Sequence, residues 1–249
     1  LSREKNKKIA LDTLNKIKVM QKKRNSDYYS SEKLEAMKEE PIMFNQAFQT
    51  KIEVRKEDVV QTVMKEEHPI VLNFASAKNP GGGFLNGASA QEESICRASD
   101  LYLFIKEIDE FYKNPKHLKN ALYDSDIIFS KNVSLIKDSN GEDLQEKEFD
   151  VITSCAVNVT ALKRNNEKEL LKQTTAEMKK RIENILEVAV REQAETLILG
   201  AFGCGVFGNN PYEIKQLFMQ TVKNKRYNGK FKKIIISIYK DDRLFNIFK

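Results

Sequence analysis

LNFASAKNPGGGFLNGASAQEE, Leu72 to Glu93, links a short apolar run to a pair of carboxylates through three consecutive glycines, Gly81, Gly82 and Gly83. The chain has only 10 glycines in 249 residues, so three together mark a place where backbone freedom is needed. Glycine permits conformations that aim successive N–H groups at one point, and it lets a phosphate come close. The preceding run, HPIVLNFAS, reads as a buried strand carrying Val71, Leu72 and Phe74. The following run, QEESICRASDLYLFIKEI, reads as a helix with Ile95, Leu101 and Ile105 roughly on one face. The stretch is a strand, a glycine loop and a helix.

The same alternation runs through the rest of the chain. KIEVRKEDVVQTVMKE suggests a short strand and a helix from about Lys56. DSDIIFSKNVSLIKDSNGE suggests strands ended by a turn at Ser139-Asn140-Gly141, and FDVITSCAVNV another buried strand. From Glu167 to Glu192 the positions of Met178, Ile182, Ile185, Leu186 and Ala189 keep the helical period. TLILGAF reads as a strand ending in glycines. PYEIKQLFMQTVKN reads as a helix opened by Pro211, which has no N–H to lose there. FKKIIISIY reads as a final strand. Strands alternating with helices give an α/β fold, with a parallel or mixed sheet covered on both faces. At the N-terminus, Ile9, Leu14 and Ile17 predict an amphipathic helix over Arg3 to Lys23, and the polar Asn25 to Met43 segment reads as a linker or a loosely packed entry.

Composition excludes several classes. Hydrophobic residues make up 41% and charged residues 31%, as in globular rather than disordered chains. No apolar run approaches a membrane span, and the N-terminus is too charged for a secretory signal. Cys96, Cys155 and Cys204 are odd in number and widely spaced, which argues against a disulfide framework, a disulfide-linked partner or a zinc site and favours a reducing, cytoplasmic setting (or the nucleus of a eukaryotic cell). His68 and His117 lack clustered partners, so each is expected to be structural or superficial. The net charge of +6 suits an anionic partner, but solvated helix faces would look the same.

Ligands of such sheets bind beyond the strands' carboxyl ends, where both glycine-rich stretches fall. The second is GAFGCGVFGNNP, with Gly203, Gly205 and Gly208 at dinucleotide-fold spacing but too late in the chain for that unit. Taken singly, either loop is explained as well by turn geometry as by ligand binding. The carboxylates also admit two readings. Acids in a first helical turn offset the helix dipole, and carboxylates beside a phosphate-binding loop can serve as acid and base at an adjacent sugar. Neighbours on a helix face different ways, so Glu92 and Glu93 are expected to have different tasks.

GGGFLNGASAQEE resembles the signature of the poly(ADP-ribose) glycohydrolases: a triple glycine, a spacer of seven residues and Gln-Glu-Glu. LNFASAKNPGGG and LILGAFGCGVFGNNP resemble the microbial-type branch, and the likeness runs from about Thr50 to the C-terminus. The N-terminal segment is similar to that branch's accessory region. The resemblance implies a helical accessory segment over 1–49 and a macrodomain-like catalytic domain over 50–249, a mixed sheet sandwiched by helices. It implies that Gly81, Gly82 and Gly83 lie against the diphosphate and distal ribose of ADP-ribose, and that Gln91 shapes that loop. It implies further that Glu92 holds ribose hydroxyls and that Glu93 is the acid/base of ribose–ribose O-glycosidic cleavage, which proceeds from the chain end. Gly203, Cys204, Gly205, Val206 and Phe207 would form the second phosphate loop, with Phe207 on the distal ribose. Asn79, or Ser76 in its place, would touch that ribose, and Tyr239 and Phe245 are candidates for the adenine platform or for plain packing. No cofactor, metal or membrane is implied. The expected partners are ADP-ribose and poly(ADP-ribose) on modified proteins, and the expected state is a monomer. Two other readings stand beside it: removal of mono-ADP-ribose from protein or nucleic acid, and a non-catalytic reader of ADP-ribose.

Overall fold

Along the central strands, side chains alternate between two buried faces, and that alternation builds the fold. The computed structural model describes residues 1–43 and 47–249. Its strands are β1 (Asn25–Tyr29), β2 (Lys51–Arg55), β3 (Ile70–Phe74), β4 (Ile127–Lys137), β5 (Asp143–Ser154), β6 (Thr196–Gly200) and β7 (Lys233–Ser237). They form one sheet in the order β1-β4-β5-β3-β6-β7-β2. The β1–β4 and β4–β5 pairs are antiparallel and the others parallel. The helices are α1 (Arg3–Val19), α2 (Ser31–Glu39), α3 (Val59–Lys65), α4 (Gln91–Ala98), α5 (Leu101–Ile105), α6 (Asp109–Tyr112), α7 (Val159–Arg164), α8 (Lys168–Leu171), α9 (Thr174–Arg191), α10 (Pro211–Val222) and α11 (Asp242–Phe248).

Ile70 and Leu72 enter one hydrophobic core and Val71 the other, and Leu197, Ile198 and Leu199 divide in the same way. The first core is closed by α2, α7, α9, α10 and α11, through residues such as Leu34, Leu162, Ile182, Phe218 and Phe248. The second is closed by α1 and α3 to α6, through Ala10, Val60, Ile95, Phe104 and Phe111. Each fully buried Ile or Leu contributes about 1.5–3 kcal/mol. The result is a mixed sheet between two helical layers.

The N-terminal region departs from the sequence reading. Helix α1 ends at Val19 rather than near Lys23, and the stretch expected to be a linker contains both β1 and α2. Strand β1, NSDYY, pairs with Ile127–Lys131 at a sheet edge. Edge strands carry little apolar signal because they need cover only one neighbour. Its polar surroundings are used instead: Asp126 accepts from Tyr28 Oη at 2.7 Å and from Ser31 N and Oγ at 2.8 Å. The 1–49 segment therefore includes a strand of the main sheet; its residues 44–46 lie outside the described residues. The helix expected over Gln91 to Ile108 is broken at Ser99–Asp100, where Asp100 turns to accept from Ser134 N on β4 at 2.8 Å. Short polar side chains compete in this way with the helical ladder.

Candidate active site

Strand β3 follows β5 as far as Phe74–Ser154, but it pairs with β6 only at Ile70–Leu197 and Val71–Ile198. The sheet opens there along a seam at the strands' carboxyl ends. Main-chain groups exposed by such a seam need other partners. The Gln91 side chain supplies both: Nε2 donates to Leu72 O at 2.7 Å, and Oε1 accepts from Phe74 N at 2.9 Å. One amide stands in for the missing strand and fixes the start of α4 over the opening.

Helix α4 begins after Ala90, which offers no side-chain cap. Acids in a first turn commonly fold back on their own helix. These two turn away from it. Glu93 Oε1 accepts from Gly83 N at 3.0 Å. Glu92 accepts from Ser76 N at 2.7 Å, Gly81 N at 3.2 Å and Asn73 Nδ2 at 3.4 Å. Gly82 N donates to Asn79 O at 2.8 Å. All three N–H groups of the triplet are occupied within the protein, two of them by the carboxylates. Gly82 has φ +57°, and a Cβ there would stand 2.5 Å from Glu93 Oε1 and 3.2 Å from Glu92 Oε2. Only glycine meets both demands. Glu92 is 3% exposed and Glu93 8%. Burial, reinforced by the charge of Glu93, outweighs the three donors and pushes Glu92 up to about 8. At neutral pH Glu92 keeps its proton.

The loop after β6 is built differently. Gly203 (φ +72°) packs on Ala156, where a Cβ would lie 2.6 Å from the alanine methyl. Asn209 Nδ2 donates to Val157 O at 2.8 Å and Gly203 O at 3.0 Å, pinning the base of the loop. Beyond it, Gly205, Val206 and Phe207 present three consecutive N–H groups that meet no acceptor among the described residues. Val206 is 84% exposed, and nothing stands within 4 Å of a Cβ at Gly205. Consecutive free N–H groups suit anionic oxygens. The Phe207 ring lies 6.4 Å from Tyr123, which stacks at 5.6 Å on His117. His117 is fully buried, and burial lowers it to about 4, so it stays neutral. Buried Arg181 holds this support from below, donating to the carbonyls of Leu122, Tyr123 (2.9 Å), Asp124 (3.4 Å) and Cys155 (2.8 Å).

A cavity of about 280 Å³ fills the seam, lined among others by Phe74, Ser76, Gln91, Glu92, Glu93, Gly203, Gly205, Val206 and Phe207. A second, of about 310 Å³, shares Phe74, Ala90, Gln91, Ala201 and Gly205 with it and extends to Glu57, Asp58 and the half-exposed Tyr239. Gly81, Gly82 and Gly83 lie behind the carboxylates rather than in the lining. Asn79 is exposed and outside it; its carbonyl closes the glycine turn and its N–H donates to Ser76 Oγ at 3.1 Å. Cys204 lines a separate outward depression beside Tyr212 and Arg243, and burial pushes its thiol up to about 12. Phe245 packs against the first core. Sequence reading passed over Asn73 and Arg181. Each carried a signal, a polar residue inside an apolar strand run and an arginine on the apolar face of α9. Among the described residues no group of three or more His, Cys, Asp or Glu converges as metal ligands would, and no helix is long and apolar enough to cross a membrane.

The family model for the microbial-type PARG catalytic domain matches residues 3–138, more than half of the 249 residues. The chain belongs to this family. Among solved structures it is similar to the poly(ADP-ribose) glycohydrolase of Thermomonospora curvata, with 26% identity, 98% of this chain and 97% of that chain covered, and a TM-score of 0.88. The same enzyme bound to the inhibitor ADP-HPD gives a TM-score of 0.85 at the same identity and coverage. The Deinococcus radiodurans enzyme in complex with ADP-ribose is 31% identical over 90% of this chain and 92% of that chain, with a TM-score of 0.82. No curated protein matches. The α/β fold of this chain is a macrodomain-like mixed sheet between helices, and it matches these solved structures.

Proposed function

We propose that this chain hydrolyses the ribose–ribose O-glycosidic bonds of poly(ADP-ribose), releasing ADP-ribose, with Glu93 as general acid and base. The observation that carries the reading is the pair of α4 carboxylates drawn off their own helix and held by Gly81 and Gly83 N–H groups at the wall of the seam cavity. The ADP-ribose and ADP-HPD complexes of the neighbouring enzymes support it. The Glu93 carboxyl delivers its proton to the leaving ribose oxygen as the anomeric C–O bond breaks. The resulting carboxylate then takes a proton from the water whose oxygen bonds to the oxocarbenium-like carbon, restoring the acid. Glu92, fixed by three donors, positions the ribose hydroxyls. The diphosphate sits on the free N–H groups of Gly205, Val206 and Phe207, and the adenosine extends into the second cavity toward Tyr239. Modified proteins carry the substrate, and the chain acts as a cytoplasmic monomer.

The test is release of ADP-ribose from poly(ADP-ribose) and from a mono-ADP-ribosylated protein, in parallel, by wild type and Glu93→Gln. Turnover of the polymer by wild type, reduced about 10²–10⁴-fold in the variant while ADP-ribose still binds, is the expected result. Cleavage of the mono-modified protein alone would move the activity to that bond. Binding of ADP-ribose without cleavage of either substrate would make the chain a reader and end the proposal.

A further inference from the structure

The spacer between the glycine triplet and the carboxylates is gripped by side chains that line neither of the two cavities. Its three consecutive carbonyls, of Asn86, Gly87 and Ala88, are each taken by a side chain. Arg3 Nε donates to Asn86 O at 2.9 Å, Asn6 Nδ2 to Gly87 O at 3.2 Å, and Arg97 to Ala88 O. Two of these donors sit on α1. The third, Arg97, belongs to α4, and α1 holds its main chain as well: Thr13 Oγ1 donates to Arg97 O at 2.5 Å. Arg3, Asn6, Ala10, Thr13 and Ile17 lie on one helical face. Asn6 is 2% exposed and Thr13, Ala10 and Ile17 are fully buried. A helix docked for stability alone needs only apolar contacts; this one directs a polar side chain at main-chain oxygen from three of its turns.

Gly87 shows how close the approach is. Its φ is +79°, and a Cβ there would run into the Arg3 carbonyl and lie 2.9 Å from Arg3 Cγ and 3.0 Å from Lys7 Cγ. The fourth glycine of the motif makes room for α1. The glycine triplet that leads into this spacer is tied to the carboxylates, since Gly83 N holds Glu93 and Gly81 N holds Glu92.

We propose that α1 is a positioning element for the carboxylate pair, acting through Asn6, Arg3 and Thr13 on the backbone of residues 84–88 and on the end of α4. The proposal rests on the hydrolase reading for its rate effect. Releasing the spacer loosens the N–H groups that set the two carboxylates, so bond cleavage slows. ADP-ribose binding, which rests chiefly on the second loop and the second cavity, changes much less than the rate. Displacing a reacting group by about 1 Å can cost roughly 10²-fold in rate, and losing one of several pins should cost less, about ten-fold.

The experiment uses the full chain with Asn6→Ala, Thr13→Val and Thr13→Ser. It reads kcat and KM on poly(ADP-ribose), the Kd for ADP-ribose by calorimetry, and amide hydrogen exchange over residues 84–90. The proposal expects Asn6→Ala and Thr13→Val to lose about ten-fold in kcat, with a much smaller change in Kd and faster exchange in 84–90. It expects Thr13→Ser to restore what Thr13→Val loses. Unchanged kcat, equal loss of kcat and ADP-ribose affinity, or unchanged exchange over 84–90 would each overturn it. A wild type that binds ADP-ribose but cleaves nothing would defeat the hydrolase reading instead. The exchange comparison would then still decide whether α1 holds the spacer.

Discussion

The two glycine loops at the mouth of the seam look alike in sequence and do opposite things. In the first, Gly81, Gly82 and Gly83 direct every N–H inward, two of them to Glu93 and Glu92. In the second, the N–H groups of Gly205, Val206 and Phe207 meet no acceptor among the described residues, and a Cβ at Gly205 would meet open space. The first loop is a clamp for carboxylates and the second a seat for an anion. A glycine-rich loop beside a strand end is commonly assigned to phosphate. Here only one of the two has donors left to offer.

Three substitutions test that difference, in falling order of effect. Gly82→Ala places a methyl against both carboxylates at a backbone conformation that alanine resists. Its kcat on poly(ADP-ribose) should fall about 10²-fold or more, while the Kd for ADP-ribose, followed by calorimetry, moves little. An equal loss in both would mean that the first loop also carries the ligand's phosphates.

Glu92→Gln sharpens the clamp side through pH. Glu92 is held up to about 8, against an ordinary value of 4.5. Between those values the folded chain keeps a proton that the unfolded chain has lost. Stability from this group is therefore full below about pH 4.5 and is lost as pH rises through about 8, by up to about 1.4 kcal/mol per pH unit. Urea unfolding at a series of pH values should show that decline in wild type and a flatter profile in Glu92→Gln. A wild-type profile that does not fall between pH 5 and 8 would mean that Glu92 does not hold its proton there.

Gly205→Ala is the mildest. Its backbone is not in the left-handed region and its surroundings are empty, so thermal stability should stay within about 0.5 kcal/mol. The added methyl stands at the anion seat, so KM and Kd should rise a few-fold with kcat kept. A fall in kcat instead would assign the second loop to the chemical step.

Much of this was legible in the residues. Strands β3, β6 and β7 are buried on both faces, so they read as apolar runs whatever their partners. The Gln-Glu-Glu signature placed Gln91, Glu92 and Glu93 together, and all three line the same cavity. What escaped depends on partners far along the chain. Strand β1 reads as linker because an edge strand needs few apolar residues, and its order comes from β4 and Asp126. Asn73 sits in an apolar run yet is fully buried, where its amide bridges Glu92 and Thr153. Arg181 keeps the helical period of its neighbours while binding carbonyls more than fifty residues upstream. The direction in which the triplet's N–H groups point is a matter of backbone angles, and glycine leaves those open until the surrounding fold sets them.

Both borders of the sheet are made by the chain's earliest strands. Strand β1 meets Ile127–Lys131 and β2 meets Lys233–Ser237. During synthesis, Lys51–Arg55 leaves the ribosome with no strand to join until Lys233–Ser237 has followed it. Contacts so distant in sequence close slowly, so the border at β2 waits longer for its partner than the border at β1. That strand carries Lys51, Glu53 and Arg55, ionic side chains that discourage pairing with another chain during the wait.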